Sequence, residues 1–82
     1  MVLVAYDIRN DSFRTKAMKR LLAMGFQRLQ KSVYFKKGGR GDALDAFRAI
    51  KKYVKDETDK IFVVTLSDKE FREALVLEGV VG

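Results

Sequence analysis

The sequence predicts a single α+β domain in which two helices cover one β-sheet. Two apolar segments, residues 2–8 and 60–66, are rich in β-branched side chains, which is typical of strands. Two further segments, residues 11–24 and 43–54, repeat apolar side chains at spacings of three and four, which is typical of helices. The 82 residues include no Pro and no Cys, so neither a second domain nor a disulfide framework is indicated.

Asp7 is the one charged residue in the first predicted strand. The apolar side chains of residues 2–8 run almost without alternation, which indicates a central strand covered on both faces. A carboxylate is costly to bury unless it has partners. Asp7 is therefore expected either to pair with Arg9 or Arg14 or to hold a metal ion, and the local sequence leaves both open.

The first predicted helix follows directly, with Asp11 or Ser12 as its N-cap and Gly25 as its C-terminal stop. Arg14 lies in the first turn of this helix. The helix dipole disfavours a cation there, so we expect Arg14 to be anchored to a carboxylate or a phosphate.

Residues 26–37 are predicted to be extended, with Leu29, Val33 and Phe35 on the inward side. Lys31 places a charge in this apolar row. The interruption predicts a bulge or a division into two short strands.

The second half of the chain is predicted to supply a second helix and a second long strand. Asp42 is expected to cap the helix, and its apolar side is Ala43, Phe47, Ile50 and Val54. Residues 60–66 are apolar on both parities, which places this strand beside the first one in the sheet centre. Ser67 and Glu70 match a capping box that starts a short helical turn.

The segment from residue 75 to residue 81 is β-prone and carries one charge. As an exposed edge it would adhere to other strands. We therefore expect it to add to the sheet of a second copy, which would give a symmetric homodimer. A fifth strand on its own sheet is the alternative.

The predicted order of strand, helix, two short strands, helix and strand is the ferredoxin-like βαββαβ arrangement, extended by one C-terminal strand. That fold hosts many functions, so function has to be argued from charge and from the site.

The net charge of +6 is concentrated in one part of the chain. Residues 8–40 hold ten Lys or Arg against one acid, whereas residues 41–82 hold seven bases against nine acids. Clustered cations release counterions when they contact nucleic acid, so we expect a nucleic-acid-binding face, with a solvated basic surface as the alternative. The candidate phosphate contacts are Arg9, Arg14, Lys16 and three residues of the glycine-rich segment 36–41, namely Lys36, Lys37 and Arg40.

The absence of His and Cys excludes an imidazole base and a thiolate nucleophile. Hydrolysis by this chain would therefore depend on a metal ion. The apolar run at the N-terminus is short and has no basic segment before it, so we expect no signal peptide, no membrane partner and a cytoplasmic location.

Several short motifs, taken in order, resemble the CRISPR-associated Cas-two family. They are Tyr6-Asp7-Ile8, Asp11 with Arg14 three residues later, Gly25, Gln30-x-Ser32-Val33 before an aromatic residue, and Phe71-Arg72-Glu73 before an apolar segment. The resemblance spans nearly the whole chain.

This resemblance implies a homodimer of ferredoxin-like protomers in which Asp7 of each copy faces its twin across the two-fold axis. It implies a Mg²⁺-dependent endonuclease on RNA or DNA, with Asp7 as the catalytic and metal-binding residue and another divalent cation as a substitute. It equally implies a non-catalytic adaptor that joins two dimers of the Cas-one integrase during spacer acquisition. Tyr6, Asp11 and Ser32 are expected to support the site.

Overall fold

A computed structural model describes residues 1–76 of the chain. The elements are β1 (Val2–Asp7), α1 (Asp11–Ala23), β2 (Gln27–Gln30), β3 (Val33–Lys36), α2 (Arg40–Ile50), β4 (Lys60–Thr65) and α3 (Asp68–Arg72), with one 3₁₀ turn at Lys51–Tyr53. The described residues form a small α+β domain with the predicted strand, helix, two short strands, helix and strand, whereas the predicted additional C-terminal strand lies mostly outside them. No helix in the described residues has the length and apolarity that a membrane span requires.

The four strands form one antiparallel sheet in the order β2-β3-β1-β4. β1 lies at its centre, between β3 and β4. The prediction that residues 60–66 lie beside the first strand is confirmed, but their predicted place in the sheet centre is wrong for the described residues, because β4 pairs there with β1 alone and forms an edge. Alternate apolar residues of β4, Phe62 and Val64, lie on the sheet face that the two long helices do not cover.

One face of β1 packs against the two long helices. Val2, Val4 and Tyr6 are buried there, whereas the alternate residues Leu3 and Ala5 are partly exposed. The helices contribute Ala17, Leu21, Ala43, Ala46 and Ile50 to the same core. The expectation of a strand covered on both faces is therefore wrong for the described residues, and the near-continuous apolar run serves a core on one side and an apolar sheet surface on the other.

We call the sheet surface opposite the helices the open face. Strand register places on it the apolar residues Leu3, Ala5, Val33, Phe35, Phe62 and Val64, with Asp7 and Lys60 paired at one end. The helix α3 approaches this face at the other end, where the Phe71 and Phe35 ring centroids are 5.1 Å apart. Phe62 keeps 60% of its surface exposed.

The predicted break in residues 26–37 is confirmed, because a turn separates β2 from β3 and the pairing register shifts between Arg28 and Gln30. The predicted inward side of β3 is wrong. Tyr34, not Val33 or Phe35, is buried against the helices, because it lies opposite the buried Val4.

The N-cap of α1 is Asn10 rather than Asp11 or Ser12. The Asn10 Oδ1 atom accepts a hydrogen bond from the Phe13 N–H at 3.0 Å. Asn10 keeps an extended backbone, as an N-cap requires, and Asp11 is instead the first residue of the helix.

The predicted stop of α1 at Gly25 is confirmed. Gly25 has φ 91°, and its N–H donates to the Leu22 carbonyl at 3.1 Å. The next residue, Phe26, donates its N–H to the Leu21 carbonyl at 3.0 Å. This pair of bonds is a Schellman motif, and the buried Leu21 and Phe26 side chains complete it.

The helix α2 begins earlier than predicted, with Gly39 as its N-cap and Asp42 in its first turn. The Asp42 Oδ2 atom accepts from the Gly39 N–H at 3.1 Å, so this carboxylate still satisfies the start of the helix. That bond, with the nearby Lys36 ammonium, lowers the pKa of Asp42. Phe47, predicted to face inward, is 43% exposed, and Ala46 is buried in its place.

The capping box of α3 is confirmed. The Glu70 N–H donates to Ser67 Oγ at 3.0 Å, and the Ser67 N–H donates to Glu70 Oε1 at 2.9 Å. The predicted C-terminal strand falls mostly on residues 77–82, which lie outside the described residues, so it stays a prediction.

Candidate active site

Asp7 is the last residue of β1 and lies on the open face. Its side chain is exposed, and its partner in the strand register is Lys60 of β4. Within residues 1–76 neither Arg9 nor Arg14 forms an ion pair with it. The expected ion pair is therefore wrong, and Asp7 presents a solvated carboxylate at the end of an apolar surface.

Arg14 is anchored to a carboxylate, as its position in the first turn predicts, but the carboxylate is that of Asp11. Its guanidinium also donates to the Ile8 carbonyl at 3.0 Å. Arg14 and Asp11 thus hold the connection between β1 and α1. They act on the segment that follows Asp7 rather than on Asp7 itself.

Asp59, which the sequence analysis missed, is the second anchor of this connection. It is 8% exposed. Its Oδ1 atom accepts from the Arg9 N–H, and its Oδ2 atom accepts from the N–H groups of Lys55 and Asp56, each at 3.0 Å. The acidic turn before β4 was a usable signal, because Asp in a turn often accepts from backbone amides.

These backbone donors lower the pKa of Asp59, and the bond from the Asp56 N–H has the largest effect. The Arg9 backbone is therefore fixed by a carboxylate that is ionised at neutral pH. Its guanidinium remains exposed beside the end of β1.

Tyr6 supports the site from inside the core. Its hydroxyl lies 3.2 Å from the Tyr34 hydroxyl, and the two rings stack with centroids 5.7 Å apart. Burial, then the hydrogen bond with Tyr34, raises the pKa of Tyr6. Tyr6 is therefore a neutral packing residue at neutral pH and supplies no phenolate base next to Asp7.

Ser32 lies in the turn between β2 and β3 and acts through its backbone. Its carbonyl accepts from the Tyr6 N–H at 3.1 Å. This bond extends the pairing of β1 to the residue before Asp7, so Ser32 helps to fix the strand end that carries the carboxylate.

Lys36, a predicted phosphate contact, makes structural contacts within the described residues, and its role toward a phosphate stays a prediction. Its ammonium donates to the Met24 carbonyl at 2.8 Å and lies 3.5 Å from Asp42. The same ammonium lies 5.8 Å from the centroid of the Phe26 ring. These contacts join the end of α1 to the start of α2.

The remaining candidate phosphate contacts do not form one cluster. Lys37 and Arg40 are exposed beyond β3, which pairs its Lys36 with Val2, at the other end of β1 from Asp7. Lys16 is exposed on α1. The structure therefore brings Arg9 and Arg14 to the Asp7 end and places Lys37 and Arg40 at the opposite end.

The side chains near Asp7 determine whether it could bind a metal ion. A carboxylate is a suitable ligand for a hard cation such as Mg²⁺. Within the described residues, however, no three Asp, Glu, His or Cys side chains converge on one point. Asp7 lies at this end of the sheet near the exposed Arg9 and Lys60.

Comparison with known proteins identifies relatives that share one name. The protein from Aeropyrum pernix called CRISPR-associated endoribonuclease Cas2 is 50% identical over 78 residues, which cover 95% of this chain and 85% of that protein. A Thermofilum pendens protein of the same name is 35% identical over 96% of this chain and 84% of its own length.

The fold is similar to that of a solved protein. The crystal structure of Streptococcus pyogenes Cas2 at pH 6.5 matches 94% of this chain and 98% of that chain, with a TM-score of 0.72 and 23% sequence identity. The family described as CRISPR associated protein Cas2 matches residues 1–74. The chain belongs to the CRISPR associated protein Cas2 family.

Proposed function

We propose that this protein is a Mg²⁺-dependent endoribonuclease of CRISPR immunity in which Asp7 is the catalytic and metal-binding residue. The observation that carries the proposal is the exposed Asp7 carboxylate at the end of β1, without an ion pair in the described residues. The names of the related proteins support RNA as the substrate. DNA phosphodiesters offer the same backbone charge and are the second substrate to test.

The functional unit is a homodimer of ferredoxin-like protomers. The strand order β2-β3-β1-β4 supports that arrangement of the protomer. The open face supports the dimer, because Phe62 is exposed and its other apolar side chains are partly exposed in a single chain. Two copies joined at this face would bring their strand ends together, and we propose that the segment 75–81, which lies mostly outside the described residues, adds a strand to the partner sheet.

The site fits magnesium only as part of such a dimer. Mg²⁺ takes oxygen ligands in octahedral geometry, keeps several waters and is often held by one or two carboxylates. Within the described residues no three acidic side chains of one chain form a metal site, but a two-fold axis near the end of β1 would double the Asp7 carboxylate. The Asp7 carboxylates of the two copies would hold the ion, or another divalent cation of similar chemistry.

A bound ion would supply the Lewis-acid chemistry of phosphodiester hydrolysis. The chain itself supplies position and charge. Asp59 and Arg14 hold the segment that begins at Arg9, and the exposed Arg9 guanidinium neutralises phosphate charge that grows as the bond breaks. Tyr6 and Ser32 keep the end of β1 in register, so the Asp7 carboxylate is presented at a fixed point.

The substitution Asp7→Asn tests this function, because it preserves side-chain shape and removes the anionic ligand. We expect Mg²⁺-dependent cleavage of RNA to fall at least about a hundredfold, a common cost of removing a central catalytic group. The dimer should persist. Cleavage is measured on end-labelled RNA and DNA, with and without a chelator.

Glu57→Gln is the matched control, because it also removes one exposed carboxylate but lies in the turn after α2. It should cleave as the wild type does. Cleavage by Asp7→Asn at the wild-type rate, or wild-type cleavage that survives chelation, would refute the proposed catalytic role.

A specific observation favours a second candidate, a non-catalytic adaptor that binds duplex DNA and an integrase partner. Exposed cations lie at both ends of β1, with Arg9 near Asp7 and Lys37 and Arg40 near Val2. Six strand residues span roughly 20 Å, so these cations can contact separated phosphates of one duplex. Wild-type protein that binds duplex DNA and the Cas-one integrase but cleaves no nucleic acid would favour the adaptor.

A further inference from the structure

The helix layer carries a groove on the side of the molecule that faces away from the open face. It lies between α1 and α2 and has a volume of 490 Å³. We call it the basic groove, and it is lined by Arg20, Met24, Asp45, Arg48, Ala49 and Lys52. None of these residues contributes to the candidate active site.

The cations of the basic groove are not neutralised by neighbouring side chains. Arg20, Arg48 and Lys52 are exposed, and no ion pair within residues 1–76 includes any of them. Asp45 is the single acid of the lining, so the groove has an excess of positive charge. Such an excess on one concave surface attracts an anionic ligand.

Two lysines that lie over an aromatic pair continue the positive charge along the crevice between the helices. The Phe13 and Tyr53 ring centroids are 6.4 Å apart. The Lys16 ammonium lies 5.7 Å from the Phe13 centroid, and the Lys52 ammonium lies 5.4 Å from the Tyr53 centroid. Lys52 therefore belongs both to the groove and to this pair.

On α1 the cations of this crevice are adjacent, because they are four residues apart. Residues four apart on a helix share a face, so Lys16 and Arg20 lie one above the other. Lys52 and Arg48 border the same crevice from the α2 side. The cations thus flank an open channel on both sides, which suits a ligand with repeated negative charges rather than a single small anion.

We propose that the basic groove binds the phosphodiester backbone of a nucleic acid, as a second contact surface opposite the Asp7 site. The inference rests on the proposed function only in taking nucleic acid as the ligand. The cations contact phosphates as point charges or guanidinium forks, which makes the contact independent of base sequence. A nucleic acid long enough to pass around the edge of the protein would contact both the basic groove and the Asp7 end of β1.

The test is binding of a fluorescent DNA duplex across a salt series, with a chelator present so that no cleavage occurs. The variant Arg20→Gln, Arg48→Gln, Lys52→Gln removes three cations of the groove. Each lost phosphate contact reduces the slope of log K against log salt by about 0.9, so the slope should fall by roughly two to three units.

The matched control removes three exposed cations outside the groove, by Lys31→Gln, Lys69→Gln and Arg72→Gln. Its slope should fall by less than about one unit, since diffuse charge contributes little beyond the Debye length. Equal slopes for the two triple variants would overturn the proposal. Because binding is the readout, a chain that cleaves no RNA can still pass this test, and failure here leaves the role of Asp7 standing.

A single substitution makes the test independent of how well the triple variant folds. Asp45→Asn removes the one acid of the groove, and Asp45 is an exposed helix residue outside the first turn. We expect this variant to bind the duplex more tightly than the wild type at low salt, by about twofold to fivefold. Unchanged or weaker binding would contradict a phosphate site in the groove.

Discussion

Two carboxylates near the end of β1 differ in environment and therefore in role. Asp59 is buried and accepts three backbone N–H groups, from Arg9, Lys55 and Asp56. Asp7 is exposed and has no ion pair in the described residues. Asp59 therefore stabilises the fold through its hydrogen bonds, whereas the Asp7 carboxylate is available to a ligand.

Asp59→Asn should destabilise the protein, because an amide has one acceptor oxygen and its NH₂ group faces backbone donors. We expect the Tm to fall by roughly 5 to 10 °C, the result of one or two unsatisfied buried donors in a domain of this size. Thermal unfolding at neutral pH measures it, with the exposed Glu57→Gln as the control. A Tm equal to that of the wild type would show that the three bonds contribute nothing.

The same substitution should change the response to acid. The backbone N–H donors, that of Asp56 first, hold the pKa of Asp59 below its ordinary value of 3.8. A carboxyl with a lowered pKa contributes stability above its unfolded pKa and loses that contribution as the pH falls through its folded pKa. The decline of Tm below a pH of about 4 should therefore be smaller in Asp59→Asn than in the wild type.

At the scale of the elements, particular residue types determine where the helices begin and end. Gly25 ends α1 with a positive φ, and the Ser67–Glu70 capping box begins α3. Both features are legible in sequence because they need particular residue types at fixed spacing. The start of α1 could not be predicted to the residue, because Asn10, Asp11 and Ser12 are all good N-caps and are adjacent in the chain.

Two glycine substitutions should have opposite effects. Gly25→Ala forces an L-residue into φ 91°, where the added Cβ would meet only the Lys36 side chain at 3.7 Å, so backbone strain sets a cost of about 1 to 2 kcal/mol. Gly41 lies within α2, and a Cβ there meets nothing within 4 Å. Gly41→Ala should therefore stabilise the protein by about 0.4 to 1 kcal/mol.

Urea unfolding of both variants measures these two free energies. Stabilisation by Gly25→Ala would mean that the Schellman motif does not require glycine. Destabilisation by Gly41→Ala would mean that residue 41 is not helical in the folded protein.

Sheet faces were harder to predict than helix ends. In β3 the residues Val33, Tyr34 and Phe35 are all apolar or aromatic, so alternation alone did not identify the side that faces the helices. Tyr34 is buried because its hydroxyl meets Tyr6, a partner from a distant part of the sequence. The contact between Asp59 and Arg9 was hard to predict for a similar reason, since the Arg9 N–H that donates to this carboxylate is 50 residues away in the chain.

At the scale of the whole molecule, the two faces of the sheet have different surroundings. One is covered by α1 and α2, whose outer surface carries the basic groove. The other is the open face, with apolar residues on β1, β3 and β4 and with charges at the end where Asp7 lies opposite Lys60 in the strand register. In the proposed homodimer the contact lies on the open face and the basic groove stays on the outside.

Phe62→Ser should dissociate the proposed dimer, because Phe62 is the most exposed aromatic side chain of the open face that the structure describes. We expect sedimentation at micromolar concentration to show monomers, with little change in secondary structure. Phe47→Ser is the control, since Phe47 is 43% exposed on α2. A Phe62→Ser protein that stays dimeric, or a Phe47→Ser protein that dissociates, would place the interface elsewhere.

The stoichiometry of divalent metal binding tests the central claim most directly, because the proposed site exists only where two Asp7 carboxylates meet. Calorimetric titration of the wild-type dimer with Mg²⁺ or Mn²⁺ should show one ion for every two chains, and Asp7→Asn should show none. One ion per chain, or unchanged binding by Asp7→Asn, would contradict a shared metal site at Asp7.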